Sequence, residues 1–350
     1  MRILYSYGKS GFEAERWREE IAAASDSEVT FIPFNHADFL PWLECQDSVG
    51  LDRLYQSGDA RLHQLHDALT NAIEQSGADV LFVTNAPPYH PDFLRPLRIY
   101  KVLYSTDDPD ATYKRTIPYI HAYDHLMYCA PGYSRDMDLG EKLRYAGARR
   151  ADWLPLGVFD YEMAHPNCGP AVQRDIDIVY VGACYLQKLP ILASIRRVFG
   201  RRARIHGWFR WTHNAYLVLR HGYAGWVRSV SFAERVMLYR RAKTGFNIHW
   251  NHDGLGNQRL YHLPANGVMQ ICDCPDLLPG IFLPEQEIVG YRTLEDLLAA
   301  LRYYLANDGE RERIAAAGQA RVMRDYTIRR VTRRAADLIA QGMALRSGPA

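Results

Sequence analysis

The chain has 350 residues, 48% of them hydrophobic and 23% charged, and a formal net charge of +2. This balance describes a folded globular protein and excludes a disordered or strongly cationic chain, so nucleic acid is not among the expected partners. The length exceeds what one ordinary core serves, and two domains are expected. The six cysteines (Cys45, Cys129, Cys168, Cys184, Cys272 and Cys274) are scattered, and Cys272 and Cys274 have only one residue between them, too few for a zinc knuckle. They read as reduced thiols of a cytoplasmic protein, and no metal site is assigned. The opening apolar run is too short for a signal-peptide core, and no stretch reaches the roughly 18 apolar residues of a membrane span.

In chain order, short apolar runs at residues 2–7, 28–34, 79–84, 100–106 and 125–129 read as buried strands. Between them, residues 51–76 carry Leu54, Leu62, Leu65, Leu69 and Ile73 at helical spacing. A patch of turn formers at residues 165–175 reads as a linker. Strands then recur at 175–183, 203–207, 244–250 and 267–273. From Thr293, a predicted N-cap, leucines at 294, 297, 298, 301 and 305 mark a helical tail. Alternation of this kind predicts an α/β protein made of two doubly wound, Rossmann-like domains facing a cleft, with a helical C-terminal tail. The expected bounds are 1–165, 175–325 and a last helix, 326–350, packing back toward the first domain. Ligands of open parallel sheets sit at the carboxyl ends of the strands, so the informative residues should follow strands.

Gly8, Lys9 and Ser10 follow the first strand, but a P-loop needs a glycine five positions before Gly8, where Ile3 stands. Gly8 and Gly11 read instead as points of close backbone approach. Asp107 and Asp108 follow the fourth strand: one can cap a helix while the other points to a substrate. His36 and His90 also follow strands of the first half. In the second half, Gly182 forms a turn before a helix that opens near Lys188, a combination suited to a diphosphate. Asn247 and His249 end another strand. Arg259, Tyr261 and His262 open a short helix and are expected to project toward the strand ends where a ligand would lie, and Asn266 and Gly267 close that helix.

Several segments in order, at residues 105–110, 145–160, 175–182, 241–250, 257–273 and 285–327, resemble the CgeB-like (spore maturation protein B-like) glycosyltransferases of GT-B fold. The resemblance covers roughly residues 79–335. It implies a second domain that binds a nucleotide-diphosphate sugar and a first domain that binds the acceptor. The family's Arg-x-Phe-Glu-Ala-x-Ala-x-Gly pattern is met by Arg259, Tyr261, Ala265 and Gly267, while His262 stands where the glutamate is expected and Gly254 where retaining enzymes carry a second one. Glu287 matches the pattern and is assigned to the donor side or to loop support.

The resulting expectation is a cytoplasmic, metal-independent transferase with no cofactor beyond its nucleotide-sugar donor. The donor site comprises Gly182, Lys188, Asn247, His249, Arg259, Tyr261, His262, Gly267 and Glu287. Asp107, Asp108 or His36 serves the acceptor, a glycan, lipid-linked, protein or small molecule. The rivals are a same-fold epimerase or hydrolase and a noncatalytic nucleotide-sugar or glycan-binding protein. Arginines and aromatics interleaved between residues 196 and 243 leave peripheral contact with the inner face of a membrane open.

Overall fold

The structure is a computed structural model that describes residues 1–40, 47–84, 88–107, 112–131, 138–160, 162, 173–183, 185–223, 225–249 and 255–346. The chain forms two compact units: Met1–Asp160 together with Thr327–Ala350, and Tyr161–Tyr326.

In the first unit, strands β1 (Arg2–Tyr7), β2 (Thr30–Asn35), β3 (Val80–Thr84), β4 (Tyr100–Ser105), β5 (His125–Tyr128) and β6 (Ala151–Trp153) form a parallel sheet in the order β2-β1-β3-β4-β5-β6. Helices cover a parallel sheet on both faces, which is why its strands read as unbroken apolar runs. Ile3, Leu4 and Tyr5 of β1 and all five residues of β3 are buried. The direction of winding reverses between β1 and β3. The single helix expected over residues 51–76 is two, Ser48–Gln56 and Ala60–Ser76, because the chain turns at Gly58 and Asp59 caps the second helix through Arg61 N.

The last helix, Ile328–Arg346, belongs to this unit. Ile328 N donates to the Val158 carbonyl at 2.7 Å, and the Arg333 guanidinium pairs with Asp26. Gly342 sits so close to Tyr100 that a methyl group there would lie 2.4 Å from its hydroxyl.

In the second unit, β7 (Ile176–Val181), β8 (Ala203–His206), β9 (Ala242–Asn247), β10 (Met269–Cys272) and β11 (Val289–Gly290) form a parallel sheet in the order β11-β10-β9-β7-β8. One face packs Ile178, Tyr180, Phe246, Met269 and Ile271 under helices Leu189–Phe199 and Leu294–Ala306. The other packs Val179, Val268, Leu263 and Tyr239 under helices Phe232–Arg241 and Arg259–Ala265. Thr293 caps helix Leu294–Ala306: its hydroxyl accepts Asp296 N at 3.1 Å while the Asp296 carboxylate accepts Thr293 N at 3.0 Å. Here the winding reverses between β7 and β9. Strands β6 and β11, of three and two residues, are too short to leave a periodic signature in sequence.

Ile339 is fully buried on the last helix. Ile339→Ala should lower unfolding free energy by about 2–5 kcal/mol. Hydrogen exchange on the variant should show the lost protection in β1–β6, with the strands β7–β11 unchanged.

Candidate functional site

Arg259 opens helix Arg259–Ala265, and its side chain reaches the carboxyl end of β7. Its guanidinium lies 4.4 Å from the Tyr180 ring, which itself stacks on Phe246. The residue is only 7% exposed, yet Nε and Nη1 find no hydrogen-bond partner among the described residues. Gly182 is what lets the guanidinium lie there, since a Cβ at that position would come within 2.6 Å of Nη1. Gly207, after β8, supports the same point from the other side. Its φ is +149°, and a Cβ there would fall 1.8 Å from the Gly182 carbonyl oxygen. Two backbone turns and one cation therefore converge at the place where the winding of this sheet reverses. Lys188 is also buried, with Nζ 5.1 Å from the centre of the Tyr185 ring. Gly182 N donates to the His206 carbonyl and Lys188 N to the Tyr185 carbonyl, so those two amides are already used.

The ends of β9 and β10 add a second group. The Asn247 and Asn257 amides bond each other reciprocally, at 3.1 and 2.9 Å, and Asn257 Oδ1 accepts Leu260 N, which fixes the start of the arginine-bearing helix. His249 N donates to Asp273 Oδ2 at 2.7 Å, and His249 Nδ1 lies 2.6 Å from Asp273 Oδ1. A carboxylate accepts, so Nδ1 carries the proton. That leaves Nε2 buried and without a hydrogen-bond partner among the described residues. His249, Asp273 and Cys274 are the one His/Cys/Asp/Glu group among the described residues that could hold a metal ion, with ligand atoms within 4.8 Å of one another. The direct histidine–aspartate bond engages two of those atoms, and the group reads as a dyad with a thiol beside it.

The rest of the helix faces elsewhere. All seven of its residues are buried, so it has no solvent-facing polar side. Tyr261, two positions and about 200° around the helix from Arg259, packs its ring 5.0 Å from Tyr326 and 6.2 Å from Phe282. That corrects its expected projection toward the strand ends. His262 Nδ1 lies 2.6 Å from Glu162 Oε2. The Asn266 amide donates to Glu162 Oε1 at 2.8 Å, Arg235 stands 3.7 Å from Oε2, and Arg240 donates to the Glu162 carbonyl. Burial pushes the Glu162 carboxyl up, but His262, Arg235 and Asn266 more than offset this and hold it below the ordinary glutamate value. Gly267, with φ +67°, ends the helix against Arg174. Glu287 Oε2 accepts Leu283 N at 2.9 Å and closes the turn before β11.

In the first unit, His36 follows β2 and its Nδ1 lies 3.0 Å from Ser6 Oγ, which is 2.6 Å from the Tyr89 hydroxyl. A Cβ on Gly8 would be 2.3 Å from His36 Nε2, so Gly8 is indeed a point of close approach. Burial lowers the His36 pKa to about 3, which leaves the ring neutral and a weak base near neutral pH. His90 stacks on Tyr55 with ring centres 3.7 Å apart and lies 3.2 Å from Asp52. Asp107 is largely exposed and pairs with Arg115 at 3.3 Å. Asp108 and Gly254 lie outside the described residues. Cys129, Cys272 and Cys274 are not in disulfides, and Cys45, Cys168 and Cys184 fall outside that set. Among the described residues, no helix is long and apolar enough to cross a membrane.

Sequence reasoning missed Gly207, Asp273 and Glu162. The first two each follow a strand and were open to the argument that found Gly182 and His249. Glu162 carries no local signal.

The model of a family described as glycosyl transferase-like matches residues 188–339. No curated protein sequence matches the chain. Among solved structures, the chain is similar to sucrose-phosphate synthase from Thermosynechococcus elongatus, with 11% identity, coverage of 98% of this chain and 99% of that one, and a TM-score of 0.62. It is similar to HepE from Anabaena in complex with UDP-glucose (12% identity, 97% and 100% coverage, TM-score 0.60). It also resembles UDP-GlcNAc 2-epimerase from Methanocaldococcus jannaschii (9% identity, 97% and 100% coverage, TM-score 0.54). These likenesses show a GT-B-like fold.

Removing one partner of a buried ion pair strands the other, so Glu162→Ala should cost about 3–5 kcal/mol at neutral pH. Because the folded carboxyl titrates below its unfolded value, its contribution is complete above the unfolded pKa and is lost as pH falls through the folded one. Urea unfolding at pH 7 and at pH 3 should therefore show the gap between wild type and variant narrowing at the acid end.

Proposed function

We propose that the protein is a glycosyltransferase that moves a sugar from a nucleotide-diphosphate donor to an acceptor, with the diphosphate held at the strand ends of the second unit. The observation that carries this reading is the Arg259 guanidinium: buried, laid against the Gly182 turn, and with two nitrogens that have no hydrogen-bond partner among the described residues. A desolvated cation costs several kcal/mol unless an anion answers it, and a guanidinium answers a phosphate with paired, parallel hydrogen bonds. Tyr180 beneath it and Asn247 with Asn257 behind it fix its position.

In this reading the charge that builds on the departing nucleoside diphosphate is stabilised by Arg259, with Lys188 as a second cation, in a buried setting where such an interaction is strong. The tautomer imposed by Asp273 lets His249 Nε2 accept a hydrogen bond from a sugar or ribose hydroxyl. His262, engaged with Glu162, acts on the donor only through the position of its helix. The acceptor side falls to Asp107 or Asp108, since His36 is too weak a base. The reading is a metal-independent hexosyl-type transfer of the CgeB-like kind, and the stereochemical outcome stays unassigned.

Titration with uridine, thymidine, guanosine and cytidine diphosphates tests the site. Arg259→Ala should weaken the preferred nucleotide about 10- to 100-fold, or about 1.5–3 kcal/mol, and Arg259→Lys should recover only part of that because it lacks the planar fork. Unchanged affinity in a folded Arg259→Ala protein overturns the assignment. With a donor in hand, nucleoside diphosphate released only in the presence of an acceptor, undiminished by chelator, distinguishes transfer from hydrolysis, epimerisation and simple binding. On the acceptor side, one of Asp107→Asn and Asp108→Asn should lose at least about a hundredfold in turnover while still binding donor.

A further inference from the structure

Residues 178–233 contain nine Lys and Arg and no Asp or Glu, while the remaining 294 residues carry a formal net charge of −7. The positive stretch is also where the chain exposes its tryptophans. Trp208, Trp211 and Trp226 are 61, 73 and 60% exposed, and they are the only exposed tryptophans among the described residues. Helix Trp211–His221 turns Asn214 and Leu217 inward and presents Trp211, Tyr216, Val218 and Leu219 outward, with Leu219 at 86% exposure.

The protein builds this surface deliberately from three segments. Gly207 N donates to the Arg228 carbonyl at 3.1 Å, tying the Trp208 segment to the Trp226 segment. The Asn214 amide clamps Val227 by both its carbonyl, at 3.1 Å, and its N–H, at 2.8 Å, tying the latter segment to the helix. The Arg210 guanidinium lies 5.5 Å from the Trp208 ring. Arg202 pairs with Asp177 and Arg228 with Glu234, whereas Arg201, Arg210 and Arg220 have no carboxylate partner among the described residues. An apolar display of this size on a soluble surface marks an interaction site.

We propose that this surface docks on a membrane containing anionic phospholipid, with the indoles at the headgroup level and the arginines against the lipid phosphates. The charge selects the occupant: a stretch of this length without a single carboxylate complements a surface of uniform negative sign, where each arginine adds to the attraction. The aliphatic members select between anionic surfaces. Leu219 and Val218 gain from insertion at the acyl boundary and gain nothing from a nucleic-acid backbone, whereas tryptophan beside arginine is the residue pair of the membrane interface. This inference does not rest on the proposed catalytic reading.

The test is flotation of the full chain with phosphatidylcholine vesicles, with and without phosphatidylglycerol. Binding should require the anionic lipid, fall with added salt, and shift tryptophan emission to the blue. Replacing Trp208, Trp211 and Trp226 together with serine, or Arg201, Arg210 and Arg220 together with glutamine, should each weaken binding on the order of a hundredfold. All six positions are exposed, so circular dichroism and thermal unfolding should match wild type. No binding, equal binding to neutral vesicles, or retained binding in both folded triple variants overturns the proposal. So does tighter binding to an oligonucleotide than to the vesicles. A concentration-dependent dimer abolished by Leu219→Ser, with no vesicle binding, would give the face to a second copy of the chain.

Discussion

A guanidinium pressed against backbone is the constraint that the second unit is arranged around. Arg259 can occupy its position only because Gly182 lacks a side chain, and Gly182 can turn there only because Gly207 also lacks one. The requirement extends outward: Tyr180 offers its ring face to the cation, Phe246 supports Tyr180, and the reciprocal pair of Asn247 and Asn257 holds the turn from which the arginine's helix departs. Leu263 from the same helix and Val268, just before β10, pack close over Gly245 of β9. The helix is thus seated by apolar contacts on one side, and its first residue is delivered to the strand ends on the other. A cation held this way needs no rearrangement to meet an anion, the condition under which electrostatic stabilisation is most effective.

The helix that bears Arg259 is buried on every side, and this changes the meaning of its polar residues. On a half-exposed helix, a histidine one turn after an arginine would share its outlook. Here His262 meets a carboxylate from Glu162, some hundred residues earlier in the chain, and Asn266 and Arg240 complete the cluster. Buried polar groups must satisfy one another, and a half-satisfied cluster is worse than an apolar one. The consequence is that the cluster fixes the pose of the helix, and with it the aim of Arg259.

The two-sheet architecture was legible because parallel strands buried on both faces read as continuous apolar runs between amphipathic segments, as β1, β3, β4 and β7 do. Local turn chemistry was equally legible: the Thr293 cap and the Gly267 helix end lie where side-chain oxygens and left-handed backbone require them. What could not be read was anything that depends on direction across long separations. The sequence places Tyr261 and Arg259 two residues apart, and the helix sends one into the Phe282–Tyr326 core and the other to the strand ends. Glu162 sits beside a turn-rich patch with no pattern to announce that its carboxylate is buried. Gly207 and Asp273 were within reach of the strand-end argument, which applies to every strand of a doubly wound sheet and not only to those followed by a recognisable motif.

The two units use the same topological feature for different electrostatics. At the winding reversal of the second unit, between β7 and β9, the buried groups are a guanidinium and a carboxylate-oriented imidazole, a setting suited to negative charge. At the reversal of the first unit, between β1 and β3, Ser6, His36 and Tyr89 form a hydrogen-bonded group of hydroxyls around a ring that burial keeps neutral. Hydroxyls and a neutral imidazole donate and accept without demanding a counter-charge. They suit uncharged, hydroxylated chemistry, as the second unit's cation does not. Under the proposed reading, the division between an anionic donor and a hydroxyl-bearing acceptor is already written into which side chains end the strands of each sheet.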